Sequence, residues 1–360
     1  FSGGTPTAGA SEFYGGNIPF IRSGEIHESK TELFLTDAGL NNSSAKVVEK
    51  GTLLYALYGA TSGEVGISKI KGAINQAILA IYPNKTVDKR FLANYLQSHK
   101  QKIVGELLQG GQGNLSGALV KSISVNYPNN REQQAISDYV DSLDSQISAS
   151  TSRLASLKQM KAASLQAMFP QEGETVPKIR FKGFEGEWKK VKFSELYERS
   201  SIKNDLSFGT DKIISVANMY FIKNSRQVDD DYLRSYNIMR LGDIAFEGNK
   251  SKNFAHGRLV ENTIGDGIVS HVFIVMKPIS KNYDLNFWKY YINNENIMGN
   301  ILVRSTKSST MMTDLVVDDF LKESILVPSY EEQIEIGKIL TSLDRQISLQ
   351  SQRLEKLKQI

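Results

Sequence analysis

The run "EQQAISDYVDSLDSQISASTSRLASLKQ", Glu132 to Gln159, is written again as "EQIEIGKILTSLDRQISLQSQRLEKLKQ", Glu332 to Gln359. The copies align without a gap, and 14 of the 30 residues from 131 to 160 are identical to those 200 positions on. Pro128 and Pro328 precede them at the same offset. Large apolar residues fall at Ile136, Val140, Leu143, Ile147, Leu154 and Leu157 in the first copy. In the second they fall at Ile336, Leu340, Leu343, Ile347, Leu354 and Leu357. Steps of three, four and seven describe the seam of a coiled coil. One slot in each seam is polar, Ser150 and Gln350; such a residue costs stability but fixes register. A seam of about 25–30 residues cannot bury itself. Its twin, in the same register, is the natural partner, and antiparallel pairing lets one chain return on itself with pseudo-twofold symmetry. Ser150 and Gln350 then meet only if the helices cross near their middles. The plainer alternative has each helix packing on its own domain.

A chain of 360 residues exceeds one ordinary core and predicts two domains. The stretches before the helices read as two versions of one unit. "EKGTLLYALYGATSGEVGI" (Glu49–Ile67) and "RLGDIAFEGNKSKNFAHGRL" (Arg240–Leu259) each start an apolar strand after a glycine and break into a small polar loop. "DKRFLANYLQS" (Asp88–Ser98) matches "DLNFWKYYINN" (Asp284–Asn294) as a short helix with aromatic anchors. Leu107–Pro128 and Leu302–Pro328 each give a polar loop, a helical turn and a β-rich run ending at proline. Pro170, Gly173 and Pro177 end the first long helix and predict a loop that joins the halves.

The chain has no cysteine, which excludes disulfides and thiolate metal sites and suits a reducing cytosol. No apolar run is long enough for a transmembrane helix, and no signal peptide is read at Phe1. The net charge of +4 is permissive of nucleic-acid binding without being diagnostic.

The ordered set of motifs resembles the specificity subunit of type I restriction–modification enzymes. The residues that carry it are the two "EQ…SLD.QI" helices, each preceded by proline, the join "PKIRFKGFEGEWKKVKFSEL" (Pro177–Leu196) and the opening "SGGTP…YGGNIPFIRSGEI" (Ser2–Ile26). Together they span the chain. The resemblance implies an α+β protein: two similar α/β target-recognition domains separated by two long antiparallel coiled-coil helices, as a pseudo-twofold repeat. The boundaries expected are 1–130 for the first domain, 131–169 for the first helix, 170–329 for the join and second domain, and 330–360 for the second helix. Each domain would read one half of a bipartite double-stranded DNA target. The helices would set the gap and dock two methyltransferase subunits, and restriction subunits would join that core. S-adenosylmethionine, ATP and Mg are expected on those partners, in the cytoplasm, with no membrane and no cofactor on this chain. The family's first domain is normally preceded by its own copy of "RFKGFEGEW"; this chain begins at Phe1 without it and without an initiator Met, which leaves open either a sequence that starts late or an end that is genuinely short.

The residues themselves offer no chemistry. There is no G-x-x-x-x-G-K-[ST] loop and no Asn/Asp-Pro-Pro-Tyr/Phe stretch. His27, His99, His256 and His271 lack metal spacing, and carboxylate pairs such as Asp318-Asp319 read as solvated turns. A non-catalytic binding module is the reading that remains, ahead of a helical adaptor that binds no nucleic acid and of a fused enzyme. Base edges are read by Arg, Lys, Asn, Gln, Ser and Thr on loops that enter a groove. The first domain offers Tyr58, Thr61 and Ser62 on one loop and Gln112 and Asn114 on another. The second offers Asn249, Lys250, Lys252 and Arg258, then Arg304, Lys307 and Ser308. Arg22 and Lys30 are weaker candidates, and Lys189, Lys190 and Lys192 read as a solvated face.

Overall fold

A computed structural model of the chain describes residues 1–107, 114–223, 229–308 and 312–360. The protein is an α+β chain of two compact units, Phe1–Ser148 and Ala149–Ile360.

In the first unit the strand Leu53–Ala56 pairs antiparallel with Val65–Ile67 and with Ile78–Ile81. All four of its residues are buried, as a continuous apolar run covered on both faces must be. Leu53 and Tyr55 face a core with Leu79, Leu96 and Ile103; Leu54 and Ala56 face one with Ile21, Ile74 and Ile78. A second sheet orders Leu33–Leu35, Tyr14–Ile21, Gly72–Ile74 and Lys46–Val48. The anchor helix Lys89–Ser98 follows. The Asp88 carboxylate caps it by accepting from the Phe91 amide at 2.9 Å.

The second unit repeats this plan. Ile244–Glu247 pairs antiparallel with Arg258–Glu261 and Ile274–Pro278, and Tyr197–Ser200 adds a fourth strand. Asn237–Met239 pairs with Gly267–Val269, as Lys46–Val48 pairs with Gly72–Ile74. The second anchor helix, Leu285–Tyr291, is capped by Asp284, which accepts from Phe287 at 2.9 Å. Its aromatic face holds the join. Phe169 packs tilted against Tyr291, ring centres 5.0 Å apart, and Trp188 lies 6.1 Å from Phe287, all of them buried. The join is therefore more than the loop its prolines and glycine predict. Its Lys189–Lys192 also forms a strand against Ser324–Val327.

The repeated sequences form the helices Asn130–Ala167 and Tyr330–Gln359. Within the second unit the Gln350 side-chain amide donates to the Ser150 carbonyl at 3.2 Å, and Lys161 reaches Asp344 at 2.5 Å. As the first helix advances from Ser150 to Lys161 the second steps back from Gln350 to Asp344, so here the two run antiparallel. The polar slots do meet.

The apolar seam is only partly the buried face. Ile336, Leu340, Leu343 and Leu354 are buried, with Ile347 and Leu357 half-buried. Ile336 and Leu340 join the core of Phe287 and Trp288, so the start of this helix packs on its own domain, as the plainer alternative has it. In the first copy Leu157 is buried, Val140, Leu143, Ile147 and Leu154 are half-buried, and Ile136 is 38% exposed. Ile136 is thus no seam residue. Gln133 and Ser137, both buried, take that face because the anchor-helix cap there offers polar partners: Ser137 donates to Asp88 Oδ1 at 3.0 Å.

Candidate nucleic-acid interface

Each unit brings its two candidate loops side by side, at the same place in the repeat. In the first, the loop after Leu53–Ala56 turns at Gly59 and Gly63, both at positive φ. Ser62 donates to the Leu57 carbonyl at 3.2 Å, and the Leu115 amide donates to the same carbonyl at 3.0 Å. Tyr58, Thr61 and Ser62 are half-buried and Asn114 is exposed. Tyr58 packs on the domain core, so it braces the loop as well as facing outward. Gln112 lies outside the described residues.

In the second unit the position of Leu57 is held by Gly248. Its carbonyl accepts from the Thr313 amide at 2.8 Å, and Asn249 bridges to Met312. A Cβ at Gly248 would lie 2.1 Å from the Thr313 carbonyl, so only glycine permits this approach. Asn249, Lys250, Lys252, Lys307 and Ser308 are exposed across the two loops. Lys307 sits on the strand Thr306–Ser308, opposite Asp314.

The two arginines are differently placed. Arg258 is half-buried at the base of the hairpin. Its Nε donates to Glu247 at 2.6 Å, another nitrogen donates to the Ala217 carbonyl at 2.7 Å, and the guanidinium stands 5.0 Å over Phe254. Arg304 forks onto Glu323 at 2.9 and 2.7 Å, and that pairing holds the Glu323 carboxyl below the usual range. Both charges are compensated within the protein, and the lysines, unlike Arg258, are exposed. In the first unit the counterpart of Arg258 is Glu64, tied to Lys100 and 3.7 Å from His27. The repeat keeps an ion pair at this hairpin position and reverses the sign of the residue that starts it. Sequence reading missed the partner carboxylates Glu247 and Glu64; Glu247 closes the buried run Ile244–Glu247 and reads as its polar end.

Arg22 is held by Glu25 at 3.1 Å and Glu32 at 2.5 Å, while Lys30 is exposed. Lys189, Lys190 and Lys192 are exposed on their strand. Among the described residues no group of acidic or histidine side chains is arranged to hold a metal, and no helix is long and apolar enough to cross a membrane.

The sequence profile of the family described as the type I restriction modification DNA specificity domain matches residues 2–159 and again 185–359. The chain belongs to this family. The double match follows the internal repeat. Over 153 residues the chain is 30% identical to the specificity subunit of the type I restriction enzyme MjaIX of Methanocaldococcus jannaschii. That alignment spans 39% of this chain and about a third, 34%, of the relative. The fold is similar to the crystal structure of the type I restriction–modification S subunit from M. genitalium, with a TM-score of 0.54. The match covers 99% of this chain and 89% of that one at 14% identity.

Proposed function

We propose that this chain is a non-catalytic DNA-reading subunit of a type I restriction–modification assembly. Each globular half reads one half of a bipartite double-stranded target. The paired long helices set the gap and dock two methyltransferase subunits, which restriction subunits join. S-adenosylmethionine, ATP and Mg belong to those partners, and the assembly works in the cytoplasm.

One observation carries this reading. The same loop pair, closed on the carbonyl of Leu57 in one half and of Gly248 in the other, bears different residues on a shared frame. A common scaffold with divergent loops is what reading two different half-sites requires. The second pair, with Lys250, Lys252 and Lys307, suits phosphate contact, and Asn249 and Ser308 suit base edges.

The test is binding of the chain with its methyltransferase subunit to its methylated site across a salt series. Replacing Lys250, Lys252 and Lys307 by Ala should lower the slope of log K against log salt by up to about 3, close to one for each phosphate no longer neutralised. Recognition of the other half-site should persist. An unchanged slope and unchanged methylation would overturn the assignment of those loops.

A further inference from the structure

A cleft of about 760 Å³ opens in the second unit between the first long helix, the helix Glu295–Ser305 and the strand Arg258–Glu261. That volume is the size of a small-molecule site. Met219, Phe254 and Val260 give it an apolar wall. The carboxamides of Gln166, Asn253, Asn293 and Asn296 also line it, and among the described residues they make no hydrogen bond within the chain.

Glu261 is the second observation. It lines the cleft, yet it is only 3% exposed. Its Oε2 accepts from the Tyr283 hydroxyl at 2.7 Å, whereas Oε1 is buried with no partner. A buried polar atom left unpaired is destabilising, and a ligand that satisfies it recovers that cost. Burial pushes the Glu261 carboxyl up to about 8, against the Tyr283 hydrogen bond. At neutral pH it is therefore protonated and presents a donor. Its counterpart in the first unit is Ile67, so this feature belongs to the second half alone.

The remaining charges select among ligands. Lys161 and Lys289 both face Asp344, at 2.5 and 4.0 Å, and Glu295 lines the same cleft. The positive charge is spent inside the protein, which argues against a phosphorylated ligand. A purely apolar ligand would leave four carboxamides and Glu261 unmet. A flat ring with apolar faces and an edge of donors and acceptors satisfies both walls. A purine offers more ring-nitrogen acceptors along that edge than a pyrimidine does.

We propose that this cleft binds a purine nucleoside, with the ring against Phe254 and its edge on Asn293, Asn296 and Glu261. The test is isothermal titration of the 360-residue chain at pH 7 with adenosine, guanosine, cytidine and adenosine monophosphate. Saturable binding of a purine nucleoside is expected, tighter than cytidine and no weaker than the monophosphate. Asn293→Ala and Asn296→Ala should each weaken it up to about tenfold, the worth of one hydrogen bond, with the far-ultraviolet circular dichroism unchanged. Glu261→Gln should weaken binding less at pH 9, where the wild-type donor is already lost, than at pH 7. Three results would each overturn the proposal: no saturation by either purine at millimolar concentration, affinity indifferent to both Asn variants, or preference for the monophosphate.

Discussion

Gln350 donates its side-chain amide to the main-chain carbonyl of Ser150 at 3.2 Å, where both residues are buried. These are the two polar slots of the repeated seam, and they cross at one level. The bond reaches a carbonyl and not the Ser150 hydroxyl, so it reads the depth of the helix and not the identity of its side chain. Gln350→Ala should cost about 1 kcal/mol, the net worth of a buried hydrogen bond. Gln350→Leu should be close to neutral or stabilising while loosening register. Urea unfolding of both variants checks this; equal destabilisation would deny the hydrogen bond its role.

Gln133 and Gln333 are a second pair that the repeat places alike. The Gln133 side chain accepts from the Asp88 amide at 2.8 Å and donates to the Thr86 and Pro128 carbonyls at 3.0 and 2.8 Å. Gln333 accepts from Asp284 at 3.2 Å and donates to Asn282 and Pro328, each at 3.4 Å. Each glutamine thus ties the anchor-helix cap to the start of a long helix. Replacement by Leu strands buried backbone groups at about 1–3 kcal/mol each. A destabilisation of at least about 2 kcal/mol is expected for Gln133→Leu and a smaller one for Gln333→Leu, whose bonds are longer. Denaturant midpoints in the two variants give the comparison, and the reverse order would show that packing outweighs these bonds.

The repeat, the two long helices and the strand-to-loop breaks after Gly51 and Gly242 were legible because identity and periodicity are carried along the chain. Ile136 was misread for a physical reason: an apolar residue in register looks the same whether the partner face is apolar or polar. Only the fold puts Asp88 beside the helix, so that Ser137 is buried where Gly337 stands in the other copy. Gly337 has its own cause, since a Cβ there would sit 2.7 Å from Asp284 and 2.9 Å from the Phe287 amide. The loops were legible as pairs, yet their ion pairs were not, because Glu247 and Arg258 meet across a ladder whose register sequence alone does not fix.

Arg258 and Glu247 form a hairpin base in which Glu247 is 7% exposed. Removing the arginine leaves a nearly buried carboxylate uncompensated, which is far costlier than breaking a surface pair. Arg258→Ala should destabilise the second unit by about 3 kcal/mol, and Glu247→Gln with Arg258→Met together by less. Arg304→Ala breaks a more exposed pair, with the Arg304 side chain 55% exposed, and should cost under about 1 kcal/mol. A double-mutant cycle read by thermal unfolding separates these cases; a negligible effect of Arg258→Ala would make the residue available to DNA and not to the hairpin.

Glu261 and Asp243 give the stability its pH dependence. Burial raises Glu261 to about 8 and Asp243 to about 6, so both bind protons more tightly folded than unfolded. Their linkage therefore removes stability as pH rises: from about 4 to 6 for Asp243, and from about 4.5 to 8 for Glu261. Of these two carboxyls only Glu261 is still changing between pH 6 and 8, at about 1.4 kcal/mol per unit of pKa difference. Wild type should lose a few kcal/mol between pH 5 and 9. Glu261→Gln, which keeps an acceptor for Tyr283, should flatten the stretch from pH 6 to 8 and leave the fall below pH 6 that belongs to Asp243. Midpoints of urea unfolding across this range decide it: an unaltered slope from pH 6 to 8 in Glu261→Gln would mean that the carboxyl is ionised in the folded protein.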